Sequence, residues 1–209
     1  MFALHVAEKI PPPTPLAAGD SPSRFATAPG KRSAIRLADG SSVLLNGDSA
    51  LAVRFSAGRR DLSLLRGRAR FTVAHDKQRP FVVAASDGTV TATGTLFDVW
   101  IRPDRQVRVT LLRGRVEVRG KDGPSAASAT SLQPGQHLFY PTIAKDAAAM
   151  TAPVPAPASD SAWTTETIDF DYAPLSEVLL EANRHTARPI VMADPKLGTI
   201  AGVRHLPHG

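Results

Sequence analysis

Alternating apolar and polar positions dominate much of the chain, and the clearest run is Thr89–Ile101. The apolar residues of one parity in this run are Phe97, Val99 and Ile101. A period of two, with many branched and aromatic side chains, is typical of a β-strand. Gly94 interrupts the run before its most apolar part, where a glycine usually marks a β-bulge or a close approach of two backbones. The run therefore predicts a central strand with an unusual backbone point at its start.

The same alternation recurs in short runs that are separated by turn signals. These signals include Asp39-Gly40, Asn46-Gly47, Arg66-Gly67, Asp87-Gly88 and Pro134-Gly135. About a dozen short strands, with a turn roughly every 8–12 residues, are typical of an all-β sandwich, barrel or wound sheet. No helical period lies between the runs, which argues against a parallel βαβ sheet. We therefore expect a mainly β fold of short antiparallel strands, a wound sheet or a sandwich, in residues 31–143.

The segments that flank this β-rich part have a different composition. Residues 1–30 lack periodicity and carry Pro11-Pro12-Pro13-Thr14-Pro15, and residues 144–161 are rich in alanine and proline. Such segments bury too little apolar surface to offset the entropy lost on ordering them. We expect the first segment to be a flexible tail and the second to be a linker.

Residues 162–209 predict a small α+β unit. Thr164–Phe170 predicts a strand, Pro174 suits the first turn of a helix, and Ile190-Val191-Met192 predicts a second strand. The helix would have one apolar face, formed by Leu175, Val178, Leu179 and Ala182. A βαβ element of this size cannot bury a core alone, so we expect the unit to be incomplete. Trp163, at its start, is expected to anchor against this unit.

Composition and charge change this picture little. The chain has 209 residues, enough for a substantial core, and no cysteine, which excludes disulfides and any cysteine-based site. Its formal net charge is +6. Many arginines lie in the β-rich part, namely Arg54, Arg59, Arg60, Arg66, Arg68, Arg70, Arg108, Arg113 and Arg115. A basic chain can bind nucleic acid or an anionic membrane, but aromatic residues do not alternate with these arginines as base-stacking surfaces require. We interpret the arginines as solvated strand and loop residues.

Motifs that identify an enzyme, a targeting signal or a membrane span are largely absent. No segment approaches the roughly 20 apolar residues that span a bilayer, and residues 1–7 are too short and mixed for a signal peptide. The chain contains no Gly-x-Ser-x-Gly elbow, phosphate-binding glycine loop or His-Glu-x-x-His motif. We expect no conventional catalytic residues, no metal site and no cofactor. His75, beside Asp76 in a predicted turn, is expected to be solvated.

One reactive possibility is the dipeptide Gly94-Thr95. The Thr95 hydroxyl can attack the carbonyl of Gly94 and form an ester that then hydrolyses, provided that the backbone is strained. The alternative is a plain glycine bulge without chemistry. The sequence alone favours the plain bulge.

The order of short motifs along the chain resembles that of a known family. The motifs are Leu37-x-Asp39-Gly40-Ser41-x-Val43-x-Leu45-Asn46, Leu64-x-x-Gly67-x-Ala69-x-Phe71-x-Val73, Arg79-Pro80-Phe81-x-Val83, Gly94-Thr95-x-Phe97-x-Val99, Val107-x-Val109-x-x-x-x-Gly114-x-Val116-x-Val118 and Leu132-x-Pro134-Gly135-Gln136. Together they resemble the periplasmic region of FecR-type anti-sigma regulators. Phe170-x-x-x-Pro174-Leu175-x-Glu177-Val178, followed by Asn183-Arg184, resembles their C-terminal domain, which is similar to the short N-terminal domains of secretins and TonB-dependent receptors.

The resemblance implies a role in signalling across the bacterial envelope. FecR-type proteins are single-pass inner-membrane proteins whose periplasmic part senses a TonB-dependent outer-membrane receptor, typically one for iron–siderophore uptake. The state of the receptor is relayed to an extracytoplasmic-function sigma factor by protein contact and regulated proteolysis. The expected partners are therefore the signalling domain of the receptor and the site proteases, without nucleic acid. Sigma-factor binding is expected to need a cytosolic segment, which, like the membrane helix, the printed sequence does not contain.

Two sets of candidate residues follow from this interpretation. Some members of the family cleave themselves at the Gly-Thr of the central motif, which here is Gly94-Thr95. Receptor docking is predicted on the incomplete C-terminal unit, at Phe170, Leu175, Val178, Leu179 and Ala182. The alternatives are a β-rich hydrolase of envelope polymers, which would need carboxylates that converge in a cleft, or another envelope binding module.

Overall fold

The computed structural model describes residues 22–120, 129–142, 150–157, 160, 163–164, 174–184 and 190–199. Its strands are β1 (Ser23–Ala26), β2 (Ser33–Arg36), β3 (Ser42–Leu45), β4 (Ala50–Phe55), β5 (Arg60–Thr72), β6 (Phe81–Ala85), β7 (Gly88–Ala92), β8 (Leu96–Ile101), β9 (Gln106–Arg113), β10 (Val116–Gly120), β11 (Thr130–Leu132), β12 (Gln136–Pro141) and β13 (Val154–Pro155). Helix α1 (Leu175–Arg184) and a 3₁₀ helix (Pro195–Thr199) follow. The predicted mainly β fold is confirmed.

The strands form two sheets that share β5. Sheet A has the order β2-β3-β5-β8-β9-β12-β13, and sheet B has the order β1-β4-β5-β6-β7-β10-β11. All these pairs are antiparallel except β5 with β6, which run parallel. The expectation of antiparallel strands alone is therefore wrong at this pair, because residues 73–80 carry the chain back to the start of β5 instead of reversing it in a hairpin.

Strand β5 joins the sheets because it bends in its middle. Its first part, Arg60–Leu64, pairs with β6 in sheet B, and its second part, Gly67–Thr72, pairs with β8 in sheet A. Gly67, which begins the second part, has a φ of 83°. The turn predicted at Arg66-Gly67 is thus a bend within one long strand.

The inner faces of the two sheets enclose one hydrophobic core. The ring of Phe71 in sheet A lies 6.1 Å from that of Phe81 in sheet B and 5.1 Å from that of Phe97. Phe97 and Val99 are fully buried in this core, as the alternation in β8 predicts. Tyr140 closes one end by donating its hydroxyl hydrogen to the Ala85 carbonyl at 3.1 Å, and burial raises the pKa of this phenol.

Order begins earlier than the composition predicts. Strand β1 pairs with β4, and Phe25 packs against the core. The Thr27 hydroxyl donates to the Asn46 carbonyl at 2.6 Å and accepts from the Ser49 amide at 3.0 Å. Residues 22–30 are therefore structured, contrary to the prediction of a flexible tail, because pairing with β4 satisfies their backbone groups. Residues 1–21 lie outside the described residues.

Part of the predicted linker is also bound to sheet A. Met150 packs against the core, and Thr151 exchanges two hydrogen bonds with the backbone of Phe139. Val154–Pro155 then adds β13 to the edge of β12. Proline is tolerated on an edge strand, where its missing N–H need not face a partner. The prediction of a flexible linker is wrong for residues 150–157, and residues 144–149 are not among those described.

The C-terminal unit is described around α1. The helix begins directly after Pro174, as predicted. The Asn183 amide binds both backbone groups of Ile190, donating to its carbonyl at 2.9 Å and accepting from its N–H at 2.6 Å. The strand expected at Ile190-Val191-Met192 is not formed, and Ile190 and Val191 are exposed. The strand expected at Thr164–Phe170 falls mostly outside the described residues. No helix within the described ranges is both long and apolar enough to cross a membrane.

Candidate functional site

The Gly94-Thr95 peptide lies between β7 and β8, at the start of the central strand of sheet A. Gly94 has a backbone φ of 153°, a value that residues with a side chain rarely adopt. The pairing of β8 with β9 shifts register between Leu96 and Phe97, immediately after this point. The unusual backbone expected here therefore has a physical form, a glycine-only conformation followed by a bulge.

Two residues that are distant in sequence pack closely on this peptide. A Cβ atom at Gly94 would lie 2.6 Å from Nδ1 of His75. A Cβ atom at Gly114 would lie 2.9 Å from the Gly94 carbonyl oxygen and 2.8 Å from Cγ2 of Thr95. Both distances are too short for real Cβ atoms, so both positions require glycine as the structure stands.

Thr95 is held by its backbone, whereas its hydroxyl has no bonded partner among the described residues. Its carbonyl accepts a hydrogen bond from the Val73 amide at 2.8 Å. The side chain is buried, with 2% of its surface exposed, and Oγ1 lacks a hydrogen-bond partner within the described part of the chain. An unsatisfied buried hydroxyl costs about 1–3 kcal/mol. The hydroxyl is therefore not bonded to another described group. It belongs to the residue that directly follows the Gly94 carbonyl in the chain.

His75 was expected to be solvated, and it is exposed, but its ring also lies against Gly94. The loop that carries it is tied to this site, because the Asp76 amide donates to the Thr93 carbonyl at 3.2 Å. Hydrogen bonds from Arg79 hold the pKa of the Asp76 carboxyl below its ordinary value. The Asp76 carboxylate thus pairs with Arg79, and the imidazole of His75 lies against Gly94.

The predicted docking residues lie on a different element. Leu175, Val178 and Leu179 are half-buried on α1, and the start of the helix faces the 3₁₀ helix, where Gly198 approaches Ser176. Phe170 and the side chain of Ala182 lie outside the described residues. The docking surface therefore stays a prediction.

A second cluster, which the sequence did not reveal, covers the outer face of sheet A. Two rows of paired residues cross β5, β8, β9 and β12 side by side. We call these eight residues the latch face: Arg70, Asp98, Thr110 and His137 in one row, and Arg68, Trp100, Arg108 and Phe139 in the other. Asp160, Trp163 and Thr164, which we call the latch, lie on this face.

Asp160 is the centre of the polar part of this cluster. Its carboxylate accepts hydrogen bonds from Arg108 and from Thr110, and it lies 2.8 Å from Nδ1 of His137. Arg68 donates to its backbone carbonyl. Burial alone would raise the pKa of the Asp160 carboxyl, but the hydrogen bond with His137 and the charge of Arg108 outweigh burial and hold this pKa below its ordinary value. Asp160 is therefore a buried counter-ion.

Trp163 is fully buried in the same cluster, against the β-rich part instead of the C-terminal unit. Its indole N–H donates to Asp98 at 2.6 Å, and the guanidinium groups of Arg68 and Arg70 lie 4.8 Å and 5.5 Å from its ring centre. The interpretation of the arginines as solvated is wrong for Arg60, Arg68 and Arg108, which are buried. Aromatic rings do pack between arginines here, but the arginines and the rings come from different strands. The order of residues along one strand therefore does not show this packing.

Within the described ranges, no three His, Asp or Glu side chains are placed to hold a metal ion.

The chain is similar in sequence and in fold to known proteins. Residues 23–117 match the family described as FecR protein. Two crystal structures of candidate anti-sigma factors from Parabacteroides distasonis ATCC 8503 have the same fold. The first is 22% identical with a TM-score of 0.70, over 87% of this chain and 84% of that chain. The second is 23% identical with a TM-score of 0.67, over 78% of this chain and 74% of that chain. No curated protein matches the chain. The matched residues contain β1 to β9, His75, Gly94, Thr95 and Gly114, so the β-rich part of this chain is similar to a FecR-type region.

Proposed function

We propose that the chain is the envelope-side sensor region of an anti-sigma regulator. The similarity to a FecR-type region and the fold shared with candidate anti-sigma factors support this role. In this proposal the chain resides in the periplasm and receives the state of a TonB-dependent receptor, such as one for iron–siderophore uptake, by protein contact. Regulated proteolysis then passes the signal to a sigma factor.

The observation that carries the proposal is the Gly94-Thr95 peptide, in which a glycine-only backbone conformation precedes a buried hydroxyl that has no bonded partner among the described residues. In the proposed reaction, Oγ1 of Thr95 attacks the carbonyl carbon of Gly94 and the C–N bond breaks. The hydroxyl proton passes to the departing nitrogen, with His75 as its carrier. Water hydrolyses the resulting ester to a Gly94 carboxylate and a Thr95 hydroxyl. The chain supplies every group except water.

Cleavage at this point would leave the fold assembled. The first fragment would contain β1 to β7 and the second would contain β8 to β13. These fragments remain paired in both sheets, through β5 with β8 in sheet A and through β7 with β10 in sheet B. A cleaved regulator could therefore stay folded until a force or a protease separates its halves.

Purified protein is expected to run as two fragments on a denaturing gel, the second beginning with Thr95, because the hydroxyl that attacks is built into the chain. Thr95→Ala should run as one intact band. Thr91→Ala, which removes a hydroxyl from β7, is the matched control and should cleave like the unaltered chain. N-terminal sequencing and intact mass identify the new end. A single band from the unaltered chain after long incubation would leave Gly94 as a plain bulge.

Receptor docking is proposed on α1, where Leu175, Val178 and Leu179 are half-buried. Exposed Ile190 and Val191 lie beside the helix and add apolar surface. A receptor signalling domain could complete this unit by covering these side chains or by adding a strand.

The paired substitution Leu175→Asp and Val178→Asp is expected to abolish capture by the signalling domain of a TonB-dependent receptor, because it places two charges in the proposed contact. Leu65→Asp, at an exposed leucine of β5, is the matched control and should bind normally. A pull-down with purified domains measures the effect. Normal binding by the paired variant, with the β-rich part folded, would place the contact elsewhere.

The alternative of a β-rich hydrolase would need accessible carboxylates. Asp98 and Asp160 do converge on sheet A, but both are buried and bonded to arginines, and Asp98 also accepts the indole N–H of Trp163. This arrangement holds the carboxylates away from a substrate and favours the signalling role.

A further inference from the structure

We propose that the latch face is a recognition site for an acidic, tryptophan-bearing peptide segment. The latch of this chain occupies the site in cis, and it can leave without unfolding the sheets. This inference depends neither on self-cleavage nor on a receptor. It assigns a ligand class to a surface on the outside of sheet A.

The first part of the site binds a carboxylate. Arg108, Thr110 and His137 converge on the side chain of Asp160, with Thr110 Oγ1 at 3.1 Å and His137 Nδ1 at 2.8 Å from Oδ2. Hydrogen bonds from charged donors to a carboxylate are about twice as strong as neutral ones. An amide or an alkyl group in this position would not place a negative charge opposite Arg108.

The second part of the site binds an indole. Asp98 accepts the indole N–H of Trp163, while Arg68 and Arg70 lie over the ring. Asp98 is already fixed from below, because Arg70 binds both of its oxygens at 2.7 Å and 2.9 Å. The acceptor is therefore oriented before the indole arrives, which reduces the entropy cost of binding.

The charge of the face explains why its ligand must be acidic. Among the described ion pairs of the cluster, Arg68 and Arg70 face the carboxylate of Asp98, and Arg108 faces that of Asp160. Asp160 supplies the second negative charge. Since the three arginines and Asp98 project from paired strands, their positions are fixed by the fold before an acidic ligand binds.

The kind of contact explains why the latch can leave. Its described contacts with the latch face are side-chain bonds and ring contacts, apart from the bond between Arg68 and the Asp160 carbonyl. Buried ion pairs contribute little net stability, because desolvation cancels much of their attraction. The hydrophobic core lies on the opposite face of the sheet and does not include Trp163. A partner segment with the same chemistry could therefore displace the latch.

The test empties the site and supplies the ligand in trans. The full chain carrying Asp160→Asn and Trp163→Ala is titrated with a fluorescent peptide of the sequence Pro-Ala-Ser-Asp-Ser-Ala-Trp-Thr-Thr, which copies residues 157–165. The peptide should bind this variant at least about tenfold more tightly than it binds the unaltered chain, whose site is occupied. Peptides with asparagine for aspartate, or alanine for tryptophan, should each bind at least about tenfold more weakly.

Matched variants locate the binding. Adding Arg108→Met to the emptied chain should abolish binding, whereas adding Arg115→Met, at an exposed arginine of sheet B's rim, should not. A second measurement uses the unaltered sequence labelled with fluorotryptophan, whose Trp163 resonance is assigned with Trp100→Phe. Excess unlabelled peptide should move this resonance to the position of an exposed indole. Absence of binding to a cooperatively folded emptied variant, equal binding of the altered peptides, or a Trp163 resonance that does not move would overturn the proposal.

Discussion

Replacing Arg60 with methionine is expected to destabilise the β-rich part by about 3–5 kcal/mol. The Arg60 side chain is 0% exposed, and it pairs at 2.7 Å with Asp39, which is 2% exposed. It also donates to three backbone carbonyls, those of Arg79, Ala74 and Asp76. Methionine preserves most of the packing over Phe81 but leaves a buried carboxylate without its cation, together with three carbonyls without a donor.

The neighbouring arginine is the control for this prediction. Arg59 is 59% exposed and pairs with Asp61, which is 43% exposed. Arg59→Met should change the free energy of unfolding by less than about 1 kcal/mol, since exposed pairs are weak. Urea unfolding of both variants measures the difference. Adding Asp39→Asn to Arg60→Met should recover part of the loss, and equal effects of the two single variants would contradict the assignment.

The second large effect is expected at Gly114, where alanine should cost about 2–5 kcal/mol. A left-handed conformation costs an L-residue about 1–2 kcal/mol, and Gly114 has a φ of 91°. The added methyl would also press on the carbonyl of Gly94 and on the side chain of Thr95, and overpacking typically costs about 1–3 kcal/mol.

Two other glycines separate the conformational cost from the steric one. Gly135 has a similar φ of 80° but nothing within 4 Å of an added Cβ, so Gly135→Ala should lose only about 1–2 kcal/mol. Gly120 also has open space and no positive φ, and Gly120→Ala should stay within about 0.5 kcal/mol. Thermal or urea unfolding orders the three variants. If Gly114→Ala were no worse than Gly135→Ala, the contact with Gly94 would not matter for stability.

The features that the sequence predicted correctly depend on local patterns. The alternation in β8 identifies Phe97 and Val99 as core residues, because side-chain parity is a property of one strand. Gly94 was identified as a special point because it interrupts that alternation. The C-terminal helix was predicted from Pro174 and its apolar spacing for the same reason.

The features that the sequence did not predict depend on pairing between distant strands. Arg68 and Trp100 are adjacent only because β5 and β8 align in one register. A buried arginine and a solvated arginine look alike in sequence, so the latch face could not be separated from an ordinary polar surface. His75, in the loop after β5, and Gly114, directly after β9, contact the Gly94-Thr95 peptide only in the folded chain. Neither is close to this peptide in sequence.

The position of β5 determines how the fold can come apart. Each sheet needs this strand, because without it β3 loses its link to β8 in sheet A and β4 loses its link to β6 in sheet B. Neither sheet can melt around β5 while the other keeps its full order. The two sheets therefore form a single cooperative unit. A change that destabilises the middle of β5 would destabilise both sheets.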